Sequence, residues 1–398
     1  MMKIAYVCAD LGVPVFGQKG CSIHVQEVVR AFLQHGAEVT LITPRLGGEP
    51  PPGLEQASLI RLPSSTSTDP RQREVHAQHL NEHIVAALAQ AGPFDMVYER
   101  YSLWSFAAME YANGQALPGI LEVNAPLIEE QARHRQLIHR ADAEQTARRV
   151  FAAASALVAV STEVADYLSS YHQTCGRIHV IGNGVNPTRF QYAATPPPKR
   201  PFTIGFVGTL KPWHGLDDLI EAFVQLHRDH ADSRLLIVGD GPKRPQLEAA
   251  LKAHGLADAA DFTGSVAPER VPQLLAAMDV AVAPYPDNQD FYFSPLKVLE
   301  YMATGLPVVA SRIGQLDGLI EDGRNGILCP PGQPTALARA LAHLIANPAL
   351  RRTLGNAARR TVEQAHSWQT VTQRILKLAG MTVPQPRPHV ANSLKASS

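Results

Sequence analysis

What most limits the fold of this chain is an alternation that runs twice. Short apolar segments give way to glycine-bearing turns, then to helices with one apolar face, then to another apolar segment. The first round opens with strand Ile4–Ala9, a loop holding Gly12, Gly17 and Gly20, and a helix read as capped by Ser22. In that helix Val25, Val28, Val29, Phe32 and Leu33 recur at helical spacing and make one apolar stripe. Gly36 stops it, and "EVTLIT" is the next strand. "FDMVYER", "GILEVN" and "ALVAVS" read as further strands, and "RIHVIGNGVNPTRF" closes the round with a strand and a turn. The second round runs "FTIGFVGTL", "RLLIVGDGP", "ADFTGSV", "DVAVAPY" and "GLPVVAS", with helical segments between them. Apolar strands separated by helices pair in parallel with both sheet faces covered, so the expected class is α/β and doubly wound.

Between the rounds lies "ATPPPKRP", residues 194–201, whose consecutive prolines favour an extended connector without sheet pairing. At 398 residues the chain is too long for one ordinary core. The expected division is residues 1–195 and 196–365 as two Rossmann-like units, with helices from about Pro334 to Leu378 and a disordered tail over 381–398. Ligands of such sheets lie at the carboxyl ends of the strands. Two such ends facing each other would make a cleft that closure can dry.

Composition narrows the partners. Lys+Arg and Asp+Glu both total 36, so no overall basic field points to nucleic acid. Cys8, Cys21, Cys175 and Cys329 form no C-x-x-C pair or zinc-like cluster, which fits a reducing cytoplasm and no metal. The opening residues read as a strand rather than a signal peptide, and no apolar run approaches the ~20 residues of a membrane span. Membrane contact is expected to be peripheral if it exists.

Several polar residues stand where chemistry could be done. In "FYFSPLKVLEYMATGLPVVAS", Ser294 reads as a helix cap and Pro295 as the first helical residue. Lys297 then falls in the first turn, where a helix disfavours a cation by about 0.3–1 kcal/mol. A phosphate or diphosphate on the free N–H groups would account for it. Glu300, on the same helix face, can pair with Lys297 or accept from sugar hydroxyls. An exposed Lys–Glu pair is the plain alternative. "GFVGTLKPWHG" brings Gly208, Thr209, Lys211 and His214 to the same sheet edge, a second candidate anion contact or a simple exposed loop. "GDGP", residues 239–242, is a tight turn or a place for a base or ribose. In the first round, Glu99, Arg100, Glu122 and Asn124 sit at strand ends. Glu122 could steady positive charge on a reacting sugar, cap the next helix or pair with Arg100. His24 is a substrate contact or a structural histidine. The stretch 133–149 holds Arg133, Arg135, Arg140, Arg148 and Arg149 among acidic residues and reads as a solvated helix, with contact to anionic lipid or a phosphorylated acceptor as the lesser reading.

Taken in order, "G-x-K-G-x-S-x-H", "S-x-E-V", "IGNGVN", "VGTLKPWHG", "VGDGP", "DFTGSV", "DVAVAPY", "SPLKVLEYMATGLPVVAS" and "DGRNGILCPPG" resemble the retaining glycosyltransferases of family four, with the GT-B fold. The resemblance covers residues 3 to about 375, and "ERYSLW" and "LEVNAPLIEEQ" look like one subgroup. It implies glycosyl transfer from a nucleotide-diphosphate sugar, with retention, no cofactor and no required metal. The donor would bind the second unit, and a sugar, lipid-linked or small-molecule acceptor the first. By resemblance Lys211 neutralises the diphosphate, Lys297 assists, N–H groups after Ser294, Pro295 and Leu296 contact phosphates, and Glu300 holds the ribose. Gly20 lets the first loop approach the donor. Gly208, Thr209, Gly239, Gly241, Pro242, Phe262 and Tyr285 belong to the implied donor site, and His24, Glu99, Arg100 and Asn124 to the acceptor side. A helix over 366–380 would cross back to the first unit.

The chain also departs from the family pattern. The first of the family's paired glutamates falls at Tyr292, leaving Asp287, Asp290 or backbone to hold the sugar. Thr209 stands at the family's arginine, His214 at its lysine, Glu122 at its histidine, and Asn186 ends "NGVN" in place of an aspartate. A sugar epimerase or phosphorylase on the same architecture stays open. So does a non-catalytic partner subunit, which Tyr292 favours and Lys211, Lys297 and Glu300 oppose.

Overall fold

The computed structural model describes residues 1–190, 201–287 and 294–382. Most of the proline connector and of the tail, with Asp290 and Tyr292, lies outside them.

The first sheet contains β1 (Lys3–Val7), β2 (Glu38–Thr43), β3 (Ser58–Arg61), β4 (Met96–Arg100), β5 (Gly119–Val123), β6 (Ala156–Ala159) and β7 (Ile178–Val180), ordered β3-β2-β1-β4-β5-β6-β7. The second contains β8 (Thr203–Val207), β9 (Arg234–Val238), β10 (Ala260–Phe262), β11 (Val280–Ala283), β12 (Val308–Ser311) and β13 (Ile327–Cys329), ordered β10-β9-β8-β11-β12-β13. The strand pairs are parallel. Each sheet buries an apolar cluster on both faces, which is why its strands lack polar alternation. The order reverses between β1 and β4 and between β8 and β11, the two places where such sheets open a crevice.

The helix Trp368–Leu378 packs into the first half, with Trp368, Val371, Ile375 and Leu376 completing the cluster around Tyr6 and Tyr98. Val185 N–H donates to His366 O at 2.8 Å, and Trp368 N–H to Val185 O at 3.1 Å. A Cβ on Gly184 would lie 2.9 Å from Trp368 N, so glycine is what lets these two segments touch.

Some local readings need correction. The first long helix spans Gly20–Gln34 with Lys19 at its cap, so Ser22 lies inside it and is buried. The later helix starts at Leu296 with Pro295 in the cap position and no side-chain cap, so Ser294 does not cap it. The basic stretch 133–149 is two helices, Leu127–His134 and Arg140–Ala153. Buried Glu74 holds the break by accepting from the Ile138 and His139 N–H groups, both at 2.9 Å. On these helices Arg140 pairs with Glu129 and Glu144, and Arg149 with Glu110, a solvated charged face. Among the described residues no helix is long and apolar enough to cross a membrane.

Candidate functional site

The second sheet's reversal point is built from glycine turns stacked on one another. Gly208 follows β8 with φ +148°, and its N–H donates to Val238 O at 2.9 Å. A Cβ on Gly239 would fall 2.1 Å from Gly208 O, and one on Gly241 2.7 Å from Leu210 N. These glycines are therefore required by backbone against backbone. Tyr301, on the helix Leu296–Thr304, accepts from Val207 N–H at 2.8 Å and so ties that helix to the end of β8.

This tie places Lys297. Its stem is partly exposed, but Nζ is sealed from solvent with no hydrogen-bond partner among the described residues. Nζ lies 4.4 Å from the Phe206 ring centroid and 5.4 Å from that of Tyr285, and a Cβ on Gly208 would come within 3.0 Å of it. Burial pushes Lys297 down to about 7, with Glu300 holding it up in part. His214 stands between the Phe206 and Tyr285 rings, 5.8 Å from each, with Nδ1 2.6 Å from Thr209 O. Burial, then the Lys297 charge, pushes it down to about 4, so it is neutral at pH 7. Lys211 sits at the mouth with Nζ 5.6 Å from the centroid of Trp213, which is 45% exposed. Thr209 and Pro242 are exposed, and Phe262 lies under Arg244 at 5.6 Å.

Of the two openings left for Glu300, the close pair with Lys297 is not made, since Lys297 Nζ has no hydrogen-bond partner among the described residues. Burial pushes Glu300 up to about 7; Arg189 and Lys297 pull down, and Glu27 of the first half pushes up. Arg189 in turn lies 3.6 Å from Glu27, so this corner joins the two halves. Gly20 is the first residue of its helix, and a Cβ there would meet open space. Asp287 is exposed.

At the first sheet's reversal point, Tyr6, Tyr98 and Glu122 point to one face and are buried. Arg100 pairs in register with Glu122. Glu122 Oε1 is 2.9 Å from His24 Nε2. Burial raises Glu122 to about 7, against the pull of Arg100, Asn124 and Tyr98. Burial and the Arg100 charge lower His24 to about 3. Glu99 is different. Strand alternation sends it through the sheet to the other face, fully buried, where the Ser105 hydroxyl donates to it. It does not join the group around Glu122. Among the described residues no cluster of His, Cys, Asp and Glu could hold a metal. A concavity of about 750 Å3 lined by Asp217, Glu221, Gln225, Arg228 and His254 shares no residue with either edge.

The sequence reading named both lysines but missed Tyr301, Arg189, Glu27 and Trp368. "HSWQ" after a long helix marks a new cap with an aromatic behind it, a signal for Trp368; the others carry none.

The family model "Glycosyltransferase Family 4" matches residues 19–189, and "Glycosyl transferases group 1" matches residues 201–347. A glycogen synthase of Mycobacterium tuberculosis is 32% identical over 225 residues, which is 54% of this chain and 53% of that protein. The chain thus spans about half the length of that relative. A D-inositol 3-phosphate glycosyltransferase of Salinispora tropica is 26% identical over 94% of this chain and 83% of its own. The crystal structure of Anabaena Alr3699/HepE in complex with UDP and glucose superposes with a TM-score of 0.69 at 19% identity, covering 96% of this chain and 100% of that one. The chain has the two parallel Rossmann-like sheets of the GT-B fold, with strands β2–β7 inside the match of the first model and β8–β13 inside that of the second.

Proposed function

We propose that the chain transfers a glycosyl group from a nucleotide-diphosphate sugar to an acceptor, with retention at the anomeric carbon and without a metal ion, in polysaccharide, glycolipid or glycoconjugate assembly. The observation that carries this reading is Lys297, a sealed ammonium with no hydrogen-bond partner among the described residues, at the reversal point of the second sheet. An unpaired buried cation is costly, and a diphosphate supplies the missing charge. Lys211 adds a second cation from the mouth, so side chains do the work of a divalent ion. Glu300 takes the ribose hydroxyls, and the N–H groups at the start of its helix take phosphate oxygens. Gly20, with open space beside it, lets the first helix's N-terminus approach the same phosphates.

The acceptor lies on the first half, with His24, Arg100 and Asn124 around Glu122. The anomeric C–O bond to the diphosphate breaks as a bond to the acceptor oxygen forms on the same face. The acceptor proton goes to the departing diphosphate oxygen, so no enzyme nucleophile is needed. Glu122, ionised, steadies the positive charge on the ring. Anionic lipid near the Arg140–Ala153 helix would give the peripheral contact a lipid-linked acceptor needs.

The test is nucleotide release from a sugar nucleotide with and without acceptor, in EDTA, with the anomeric coupling of the product read by proton NMR. Acceptor-dependent release with an unchanged anomer is expected. Release without acceptor, altered stereochemistry of the free sugar, or loss of activity in EDTA would contradict the proposal.

A further inference from the structure

Polar side-chain atoms without hydrogen-bond partners concentrate at one place in the first half. The Tyr6 hydroxyl, Arg100 Nε and His24 Nε2 have none among the described residues, and the Tyr98 hydroxyl and Asn124 Nδ2 lean on the Glu122 carboxylate without a well-aligned bond. His24 Nε2 is only 2.9 Å from Glu122 Oε1, yet off the line of an N–H···O bond. Rotation of the imidazole would straighten it. The ring is packed against Trp368, with centroids 5.0 Å apart and planes at 51°. Trp368 is held by the crossing between the halves: its N–H donates to Val185 O, and its backbone lies against Gly184. A change at the crossing therefore reaches Glu122 through two rings.

We propose that His24 is a positioning residue for Glu122, and that Trp368, from the helix crossing back to the first half, fixes the imidazole rotation on which alignment of Nε2–H with the carboxylate depends. What Glu122 does rests on the proposed function; the linkage itself does not. The groups facing Glu122 are Tyr6 from β1, Tyr98 and Arg100 from β4 and Asn124 after β5, and Arg100 in turn faces Cys8 and Asp10 from the loop after β1. Tyr6, Tyr98 and Cys8 are held neutral by burial. Arg100 is charged, and the crossing helix offers Trp368, which carries no charge. With His24 pushed down to about 3 and Glu122 up to about 7, the group that ionises near neutrality is the carboxyl. A neutral imidazole donating from Nε2 favours its ionised form.

The experiment is side-chain nitrogen NMR of the full chain labelled in histidine, from pH 5 to 9, with His24→Asn used to assign the signal. The wild type is expected to show an inflection of the His24 signal near pH 7 that vanishes in Glu122→Gln. Trp368→Leu should move that inflection up by about half a pH unit or more, and Trp368→Phe should restore most of it. Ile375→Val thins the same interface two turns further on and should leave it in place. A His24 signal that ignores Glu122→Gln would overturn the positioning role. Equal shifts in Trp368→Leu and Ile375→Val would overturn the role of Trp368. Turnover in Glu122→Gln tests the function of Glu122 separately, so either result can fail without the other.

Discussion

The two sheets reverse their strand order in the same way, and at that point one buries a carboxyl beside a neutral histidine while the other buries an ammonium beside a neutral histidine. Burial drives both ionisable groups toward about 7, from opposite sides. A fold that wanted only stability would fill both places with apolar side chains. The first edge is suited to steady positive charge on a reacting ring, the second to hold a polyanion. Under the proposed function, turnover rests on the first edge and nucleotide affinity on the second, and each variant below separates them further.

The largest effect is expected from structure rather than chemistry. Gly239→Ala drives a Cβ into the Gly208 carbonyl at a φ of +136° and should lower the melting temperature by roughly 6–10 °C. Gly20→Ala, entering open space, should leave melting within about 1 °C. A equal drop in both would remove the distinction between glycines packed on backbone and glycines kept for a ligand. Next, Glu122→Gln should cut turnover about 100-fold with nucleotide affinity unchanged, read by steady-state kinetics and titration calorimetry. A loss of affinity instead would merge the two edges. Glu300→Gln should raise the donor KM about tenfold without lowering the melting temperature; if the variant unfolds, Glu300 is structural.

The remaining effect is on stability against pH. Glu122 and Glu300 rise from 4.5 to about 7 on folding, so each is stabilising below about 4.5 and loses that contribution as pH climbs through 7. Lys297 falls from 10.5 to about 7, so its contribution is present above 10.5 and lost as pH falls through 7. Thermal melts should therefore show a smaller decline from pH 4.5 to 7 in Glu122→Gln, and a smaller rise from pH 7 to 10 in Lys297→Met. Unchanged slopes in both would mean that these groups are hydrated rather than buried.

How much of this could be read in advance follows from range. The strands and the alternation came from local apolar periodicity, and the lysines from their place beside glycine turns. Strand alternation alone puts Glu99 and Glu122 on opposite faces, since Glu99 and Arg100 are neighbours and Arg100 pairs with Glu122. Treating polar strand ends as one set hid this. The His24–Glu122 approach, the Tyr301 tie and the Arg189–Glu27 corner join segments distant in the chain, and no local pattern encodes such contacts. Ser22 and Ser294 are good caps by type, yet the chain enters both helices nearby: Lys19 holds the cap position of the first and Pro295 that of the second, neither with a side-chain cap.

The central claim is that the second sheet's edge is a diphosphate cradle. Once a thermal-shift panel of UDP-, GDP- and ADP-sugars has fixed the base, calorimetry of the matching nucleoside diphosphate and monophosphate tests it directly. Lys297→Ala and Lys211→Ala should each weaken diphosphate binding by about 10–100-fold and monophosphate binding by less than about threefold. Equal losses for both nucleotides would contradict the claim.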